Sequence, residues 1–182
     1  MSSPQLRRQD RALPEADARS LIERAYSGRL ATISADGSPY IVPLLHVLAA
    51  GEICLHNTAA RGHLRSNVER DARACFEVDE PVKVFDYGRF ECDTGLAYSS
   101  AIAYGRVRVV DDRAAKSRFF DALLAKYGTG VPGRPKGFYP RLDEVTVYAM
   151  TIETLTGKQC ALPPLSEQWP ALDRTKSPNA KP

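Results

Sequence analysis

RLATISADGSPYIVPLLHVLAAGEICLHN, residues 29–57, is the stretch on which the fold turns. Its apolar residues recur at strand spacing rather than helix spacing. Residues 29–34 read as a short strand. Asp36-Gly37 is a hairpin signal, because glycine takes positive φ without steric cost. Residues 40–47 then form the return strand. Pro43 removes one ladder donor from it, which predicts an edge or a bulge at that position. Residues 49–51 turn the chain once more, and 52–56 form a third strand. The expectation is a three-stranded antiparallel meander.

The flanking sequence alternates helices with further strands. Upstream, LPEADARSLIERAYSG (13–28) is a helix. Pro14, Glu15 and Asp17 suit its first turn, Ala18, Leu21, Ile22 and Ala25 form its apolar stripe, and Gly28 is its stop. Downstream, 61–71 is a short helix with Leu64 and Val68 on its inner face. Residues 72–80 are a strand, 81–97 an irregular strand or loop, and 98–110 a long strand in which Gly105 marks a bulge or bend. Residues 111–128 are a helix capped by Asp111 or Asp112 and ended by Gly128. A loop over 129–140 leads to the last strand, 143–157. No βαβ rhythm is present. The pattern is mainly β (α+β): a closed or split antiparallel barrel of Greek-key type with peripheral helices, which leaves few free strand edges. Residues 1–12 are expected to be a mobile arm, 13–162 the domain, and 163–182 a flexible Pro-rich tail carrying the single tryptophan, Trp169.

The 182 residues suit one domain with a sizeable core, and the net charge of +3 is too mild to argue by itself for a nucleic-acid partner, though it would not repel an anionic ligand. The arginines of GRVRVVDDR (105–113) are followed at once by acids, unlike a basic groove interleaved with aromatics. The four cysteines form no CxxC and read as reduced thiols. No apolar run reaches the length of a membrane span, no secretory signal is visible, and a cytoplasmic protein is expected.

Chemistry concentrates in LHNTAARGHLRSN, residues 55–67, which holds two of the three histidines. A zinc or iron site from His46, His56 and His63 lacks the i, i+4 pairing and the carboxylate such sites use, so no metal is expected. No GxSxG or local cysteine signature supports nucleophilic catalysis. An anion site is the alternative. A helix starting near Ala60 offers N–H groups and the positive end of its dipole; Thr58 adds a hydroxyl, Arg61, His63 and Arg65 add donors, and Gly62 permits close approach. On local physics alone, a strand-to-helix turn with solvated arginines accounts for the same residues.

Four pieces in order along the chain carry a family resemblance. They are GRLATISADGSPYIVPLLHV, LHNTAARGHLRSNVERDARACFEV, YSSAIAYGRVRVVDD and TIETLTGKQ. Together they resemble the pyridoxamine-phosphate-oxidase-like, FMN-binding split barrels, and within them the nitroimidazole-resistance (Nim-type) branch. The resemblance implies a homodimer with FMN at the interface. It sets Arg29 and Thr32 beside the flavin or its phosphate, and His56, Asn57 and Thr58 along the ribityl-phosphate end, with Arg61 and Arg65 in support. His63 would contact the phosphate or face the ring as the catalytic histidine. Ser100 would be a polar contact to the isoalloxazine, and Pro43 and Leu44 would offer backbone to the ring edge. His63-Leu64 stands where many relatives carry Arg-Lys. No C-terminal arginine-rich motif is present, so vitamin B6 oxidation is not expected. The implied activity is electron transfer from reduced FMN to a small planar acceptor such as a nitro-aromatic, with NAD(P)H a candidate donor. The alternatives are a non-enzymatic flavin storage or sensing protein, and a split barrel carrying F420 or haem.

Overall fold

The computed structural model describes residues 6–176 except 129, 131 and 134. The strands are β1 Ala12–Leu13, β2 Gly28–Ile33, β3 Pro39–Leu44, β4 His46–Ala49, β5 Glu52–Thr58, β6 Arg73–Asp86, β7 Thr94–Val110 and β8 Val145–Cys160. The helices are α1 Glu15–Arg24, α2 His63–Arg70 and α3 Arg113–Tyr127. All pairings are antiparallel, in the order β3-β2-β6-β7-β8-β5-β4, with β1 added to β8.

The two ends of that order, β3 and β4, are separated in sequence by Leu45 alone. A sheet whose opposite edges are one residue apart must curl back on itself, because consecutive Cα atoms are only about 3.8 Å apart. The expected return strand over 40–47 is therefore a broken one. Its first half pairs with β2 and its second half with β5, so the meander runs through a bend that joins the edges of a split barrel. Pro43 lies on the outermost strand β3, where its missing N–H removes little.

A side-chain clamp holds the seam. The fully buried His46 ring sits with Nε2 2.6 Å from the Ile22 carbonyl, which assigns the proton to Nε2. Lys126 Nζ donates to the His46 carbonyl at 3.2 Å. The Tyr127 hydroxyl lies 2.7 Å from the Tyr26 carbonyl and 2.9 Å from that of His46. Burial holds the imidazole down at about 4, and the nearby Lys126 ammonium adds to the shift.

The core fills the barrel with Leu21 and Ile22 of α1, Leu30, Ile53, Leu55, Phe76, Val78, Val107, Tyr148 and Met150. A second cluster, Val47, Phe119, Leu123 and Val147, lies under α3. Thr146 to Met150 are consequently buried on both faces, which explains the imperfect alternation of β8. Gly28 does not stop α1, which ends at Arg24; it is a strand residue pressed onto the Phe76 ring, where a Cβ would lie 2.1 Å from Cζ. The stretch 81–97, expected to be irregular, is the outer part of a long β6–β7 ribbon with a bulge between Pro81 and Lys83. The Asp112 carboxylate caps α3, accepting from the Ala115 N–H at 2.7 Å.

Both terminal segments are engaged where they are described. Ala12 and Leu13 pair with Lys158 and Gly157. Residues 163–176, expected to be flexible, lie against the ribbon. The Trp169 N–H donates to the Asp86 carbonyl at 3.0 Å and the Arg174 N–H to that of Tyr87 at 2.7 Å. The Thr175 hydroxyl donates to Asp93, itself buried, at 2.9 Å. Residues 1–5 and 177–182 of the expected arm and tail fall outside the described residues. No described helix is long and apolar enough to cross a membrane.

Gly105 faces a register shift at which Glu153 of β8 is left without a ladder partner, and a Cβ there would lie 1.9 Å from the Thr151 carbonyl oxygen. Gly105→Ala is expected to lower urea stability by about 2 kcal/mol or more, since backbone must shift to admit one methyl. The seam predicts a pH dependence. The His46 pKa is depressed from its ordinary 6.5 to about 4, so between those values the unfolded chain binds the proton first and stability falls with pH. The loss is about 3 kcal/mol. Urea midpoints from pH 7 to 4.5 are expected to decline in the wild type, and His46→Gln to flatten that slope.

Candidate functional site

The residues singled out between 55 and 67 leave β5 and α2 in different directions. Strand alternation sends Ile53 and Leu55 into the main core and His56 toward α3. The His56 ring, expected at the ribityl-phosphate end, packs instead 5.5 Å from Phe119 and 5.4 Å from Phe120 between ring centroids. Its Nδ1 is buried without a hydrogen-bond partner, and burial lowers its pKa. A neutral ring in an aromatic nest is a packing residue.

Asn57 points the other way. Its Oδ1 accepts from the Tyr148 hydroxyl at 3.1 Å, and its strand neighbour is Thr146. The Thr146 hydroxyl accepts from Arg65 Nη1 at 3.4 Å. Asn57 and Arg65 are thus brought together over the end of β8. Thr58 is exposed at the end of β5 and caps nothing, because α2 begins at His63 rather than near Ala60. The intervening turn is held by the Ala59 N–H donating to the Glu144 carbonyl at 2.9 Å.

The N-cap of α2 is Gly62, in extended conformation and without a side-chain cap. Among the described residues, no acceptor reaches the N–H groups of His63, Leu64 or Arg65. His63 is exposed, its ring 5.8 Å from that of Tyr40. Glu69 draws both arginines: Arg61 Nη2 lies 2.5 Å and Arg65 Nε 2.8 Å from its carboxylate. The Arg65 hydrogen bond and the two positive charges hold the Glu69 carboxyl below its usual range. Two guanidiniums against one carboxylate leave one net positive charge beside an open helix N-terminus. That combination suits an anion, a phosphate in particular.

The remaining candidates divide between the two faces of the sheet. Arg29 and Thr32 are three apart on β2 and therefore face opposite ways. Thr32, expected beside a ligand, is buried and accepts from the Asn67 amide of α2 at 3.2 Å. Leu44 packs against the core. Arg29 leaves from the outer face and pairs with Glu77 at 3.2 Å and Asp79 at 2.5 Å. Pro43 is next to Arg29 in register, and Ser100 lies between Asp79 and Lys158. The neighbouring rows are Arg29-Glu77-Ile102-Thr156 and Ala31-Cys75-Tyr104-Thr154. All of these are half-buried. Burial pushes the Glu77 carboxyl up despite the Arg29 charge.

Tyr40, Glu69 and Thr146 belong to the α2 mouth and escaped the sequence reading, and Tyr148, packed in the sheet core, reaches it through its hydroxyl. Glu69 had a local signal, being four residues after Arg65. Thr146 and Tyr148 come from a strand some ninety residues away and had none. Among the described residues, no three His, Cys, Asp or Glu side chains converge as a metal-ligand set.

A curled antiparallel sheet with peripheral helices and a basic helix mouth defines the chain as a split-barrel protein. The sequence profile of the pyridoxamine 5′-phosphate oxidase family matches residues 14–159, and the chain belongs to that family. The fold is shared with a proposed 5-nitroimidazole antibiotic resistance protein from Bacteroides thetaiotaomicron: 21% identity, 81% of this chain and 85% of that one, TM-score 0.67. It is also shared with the flavocytochrome Anf3 from Azotobacter vinelandii: 17% identity, 88% and 74%, TM-score 0.73. A third is the FAD and haem binding protein from Mycobacterium smegmatis: 21% identity, 83% and 73%, TM-score 0.71. No curated protein matches the sequence.

His56→Phe removes an unpaired buried nitrogen from an aromatic nest. It is expected to change stability by no more than about 1 kcal/mol in thermal unfolding, in either direction. A His56 that held a ligand would instead reveal itself by lost ligand binding in the same variant.

Proposed function

We propose that the chain is a flavin-binding oxidoreductase that holds FMN and passes electrons to a small planar acceptor, with nitro-aromatics the first class to test. The observation that carries this reading is the mouth of α2. Its uncapped N–H groups, Arg61, His63 and Arg65 fit the phosphate of FMN, and family membership supports the same use. The flavin-binding and flavocytochrome proteins of the same fold support a flavin as the ligand class.

The second support is geometric. Asn57, His63 and Arg65 belong to the core side and the barrel mouth, whereas Arg29 and Ser100 leave from the outer face. One ligand meets both sets most simply when a second copy lays its outer face against the first copy's mouth. The half-buried rows around Ile102 and Tyr104 suit such a contact. The proposed assembly is therefore a homodimer with both chains contributing to each site.

Bound there, the flavin supplies the two-electron chemistry. The chain's own residues bind and orient it. The α2 N–H groups and Arg65 hold the phosphate. Arg29, held by Glu77 and Asp79, presents its guanidinium on the outer face, and His63 is the exposed proton donor at the mouth. Of the three histidines only His63 is exposed, since His46 is locked to Ile22 and His56 lies among phenylalanines. A haem held by His46 or His56 would require the seam or the α3 packing to open.

The test is the visible spectrum of freshly purified protein, with the released chromophore identified by mass. FMN at about one per chain is expected, with NAD(P)H-dependent reduction of a nitro-aromatic following. Arg65→Ala is expected to weaken FMN binding about tenfold or more, as loss of a charge-assisted phosphate contact does. Protein that stays colourless and takes up no added FMN would remove the reading.

A further inference from the structure

Beyond the α2 mouth, a cavity lies at the far end of the β6–β7 ribbon. The arm before β1, the ribbon and the tail enclose about 470 Å³. Four cationic side chains line it, Arg8, Arg11, Arg174 and Lys176, and none of the described lining residues is acidic. Phe85 and Tyr87 supply an aromatic part of the wall. All four cations lie outside residues 14–159, the span that the family profile matches.

The site is built rather than incidental. The Trp169 and Arg174 N–H groups hold the tail to the carbonyls of Asp86 and Tyr87, so the aromatic wall and the cationic wall are joined by backbone hydrogen bonds. Thr175 is fixed twice, accepting from the Arg89 N–H at 2.9 Å and donating to the buried Asp93 at 2.9 Å. Lys176 follows directly. On the other side, Arg11 precedes the β1 pairing with β8 and is held within the N-terminal turn, where its N–H donates to the Arg8 carbonyl at 3.1 Å.

The charge balance specifies the ligand. Arg8 is neutralised by Asp10 at 2.5 Å and Arg174 by Glu167 at 2.5 Å. Arg11 and Lys176 form no ion pair within 4 Å among the described residues, although Asp10 also feels the Arg11 charge. Two positive charges therefore remain, enough for one phosphate dianion. The volume is within the range of small-molecule sites and far exceeds a bare phosphate, and the aromatic side chains offer a flat apolar surface. The geometry points to a second ligand site, for a phosphate monoester of a planar aromatic molecule of nucleoside-monophosphate size. It is independent of the flavin at the α2 mouth.

The probe is 5′-AMP, with adenosine and inorganic phosphate as controls. Calorimetry gives the affinity, and fluorescence of Trp169, the single tryptophan, reports the tail. The flavin content of each sample is recorded from its visible spectrum, so that failure here and failure of the flavin reading are separate results. AMP is expected to bind at least tenfold more tightly than either control. Arg11→Ala with Lys176→Ala is expected to weaken AMP at least tenfold and to leave FMN uptake unchanged. Tyr87→Leu is expected to weaken AMP and not inorganic phosphate. The inference is overturned if AMP produces neither heat nor a fluorescence change, or if the double variant binds it as the wild type does.

Discussion

Leu45 is the only residue between the two edges of the sheet, and the architecture depends on that fact. With β3 paired to β2 and β4 paired to β5, the chain itself ties the first edge to the last. The sheet has no freedom to lie open, and the barrel interior becomes the one place where Leu30, Phe76 and Tyr148 can be buried together. The clamp at the next residue explains how a polar ring can be tolerated in that interior. His46 meets a carbonyl through one nitrogen and remains neutral, because a charged ring there would face both a low dielectric and the Lys126 ammonium. One buried nitrogen, Nδ1, is left without a partner. The clamp accepts that cost in return for joining α1, β4 and α3 at one point.

Much of the architecture was legible because it is encoded locally. Asp36-Gly37 gives the hairpin, Leu64 and Val68 give α2, Asp112 and Gly128 bound α3, and Gly105 marks the bulge. What escaped has a common cause. The break at Leu45, the use of Gly28 as a gap for Phe76, and the continuation of the ribbon through 81–86 all depend on partners far away in sequence. Val82 and Val84 are exposed on that ribbon, so their pattern carries no burial signal. The docking of the tail was hidden for the same reason. Its hydrogen bonds run from backbone to backbone and to Asp93, and leave little mark in composition.

The candidate site was legible as a list of residues but not as a shape. Alternation along a strand is a period of two, so residues three apart on β2, such as Arg29 and Thr32, cannot both face one ligand on one side of the sheet. The same rule separates His56 from Asn57. Residues gathered by a sequence motif are thus divided between the α3 nest, the α2 mouth and the outer sheet face. The acidic partners came with the fold. Glu69 sits between Arg61 and Arg65, and Glu77 and Asp79 hold Arg29. An entering phosphate at the mouth would compete with a carboxylate for the same donors, so the arginines are preoriented yet partly neutralised.

That competition bears on why the helix end is left open. A side-chain cap at position 62 would satisfy one of the first N–H groups of α2 and, relative to glycine, contribute only a few tenths of a kcal/mol to the helix. The chain forgoes it, and places at the same spot a glycine around which a Cβ would meet nothing within 4 Å. Water can satisfy exposed N–H groups, so the omission costs little in the free chain. A cap would occupy the donors that an anion needs, and a bulkier residue would narrow the approach. The arginines held by Glu69 then become a reserve of positive charge, released in proportion as an anion takes the place of the carboxylate. Under the proposed assembly, the outer face of the second copy would also exclude water from this mouth, and each remaining ionic contact would strengthen as the local dielectric falls.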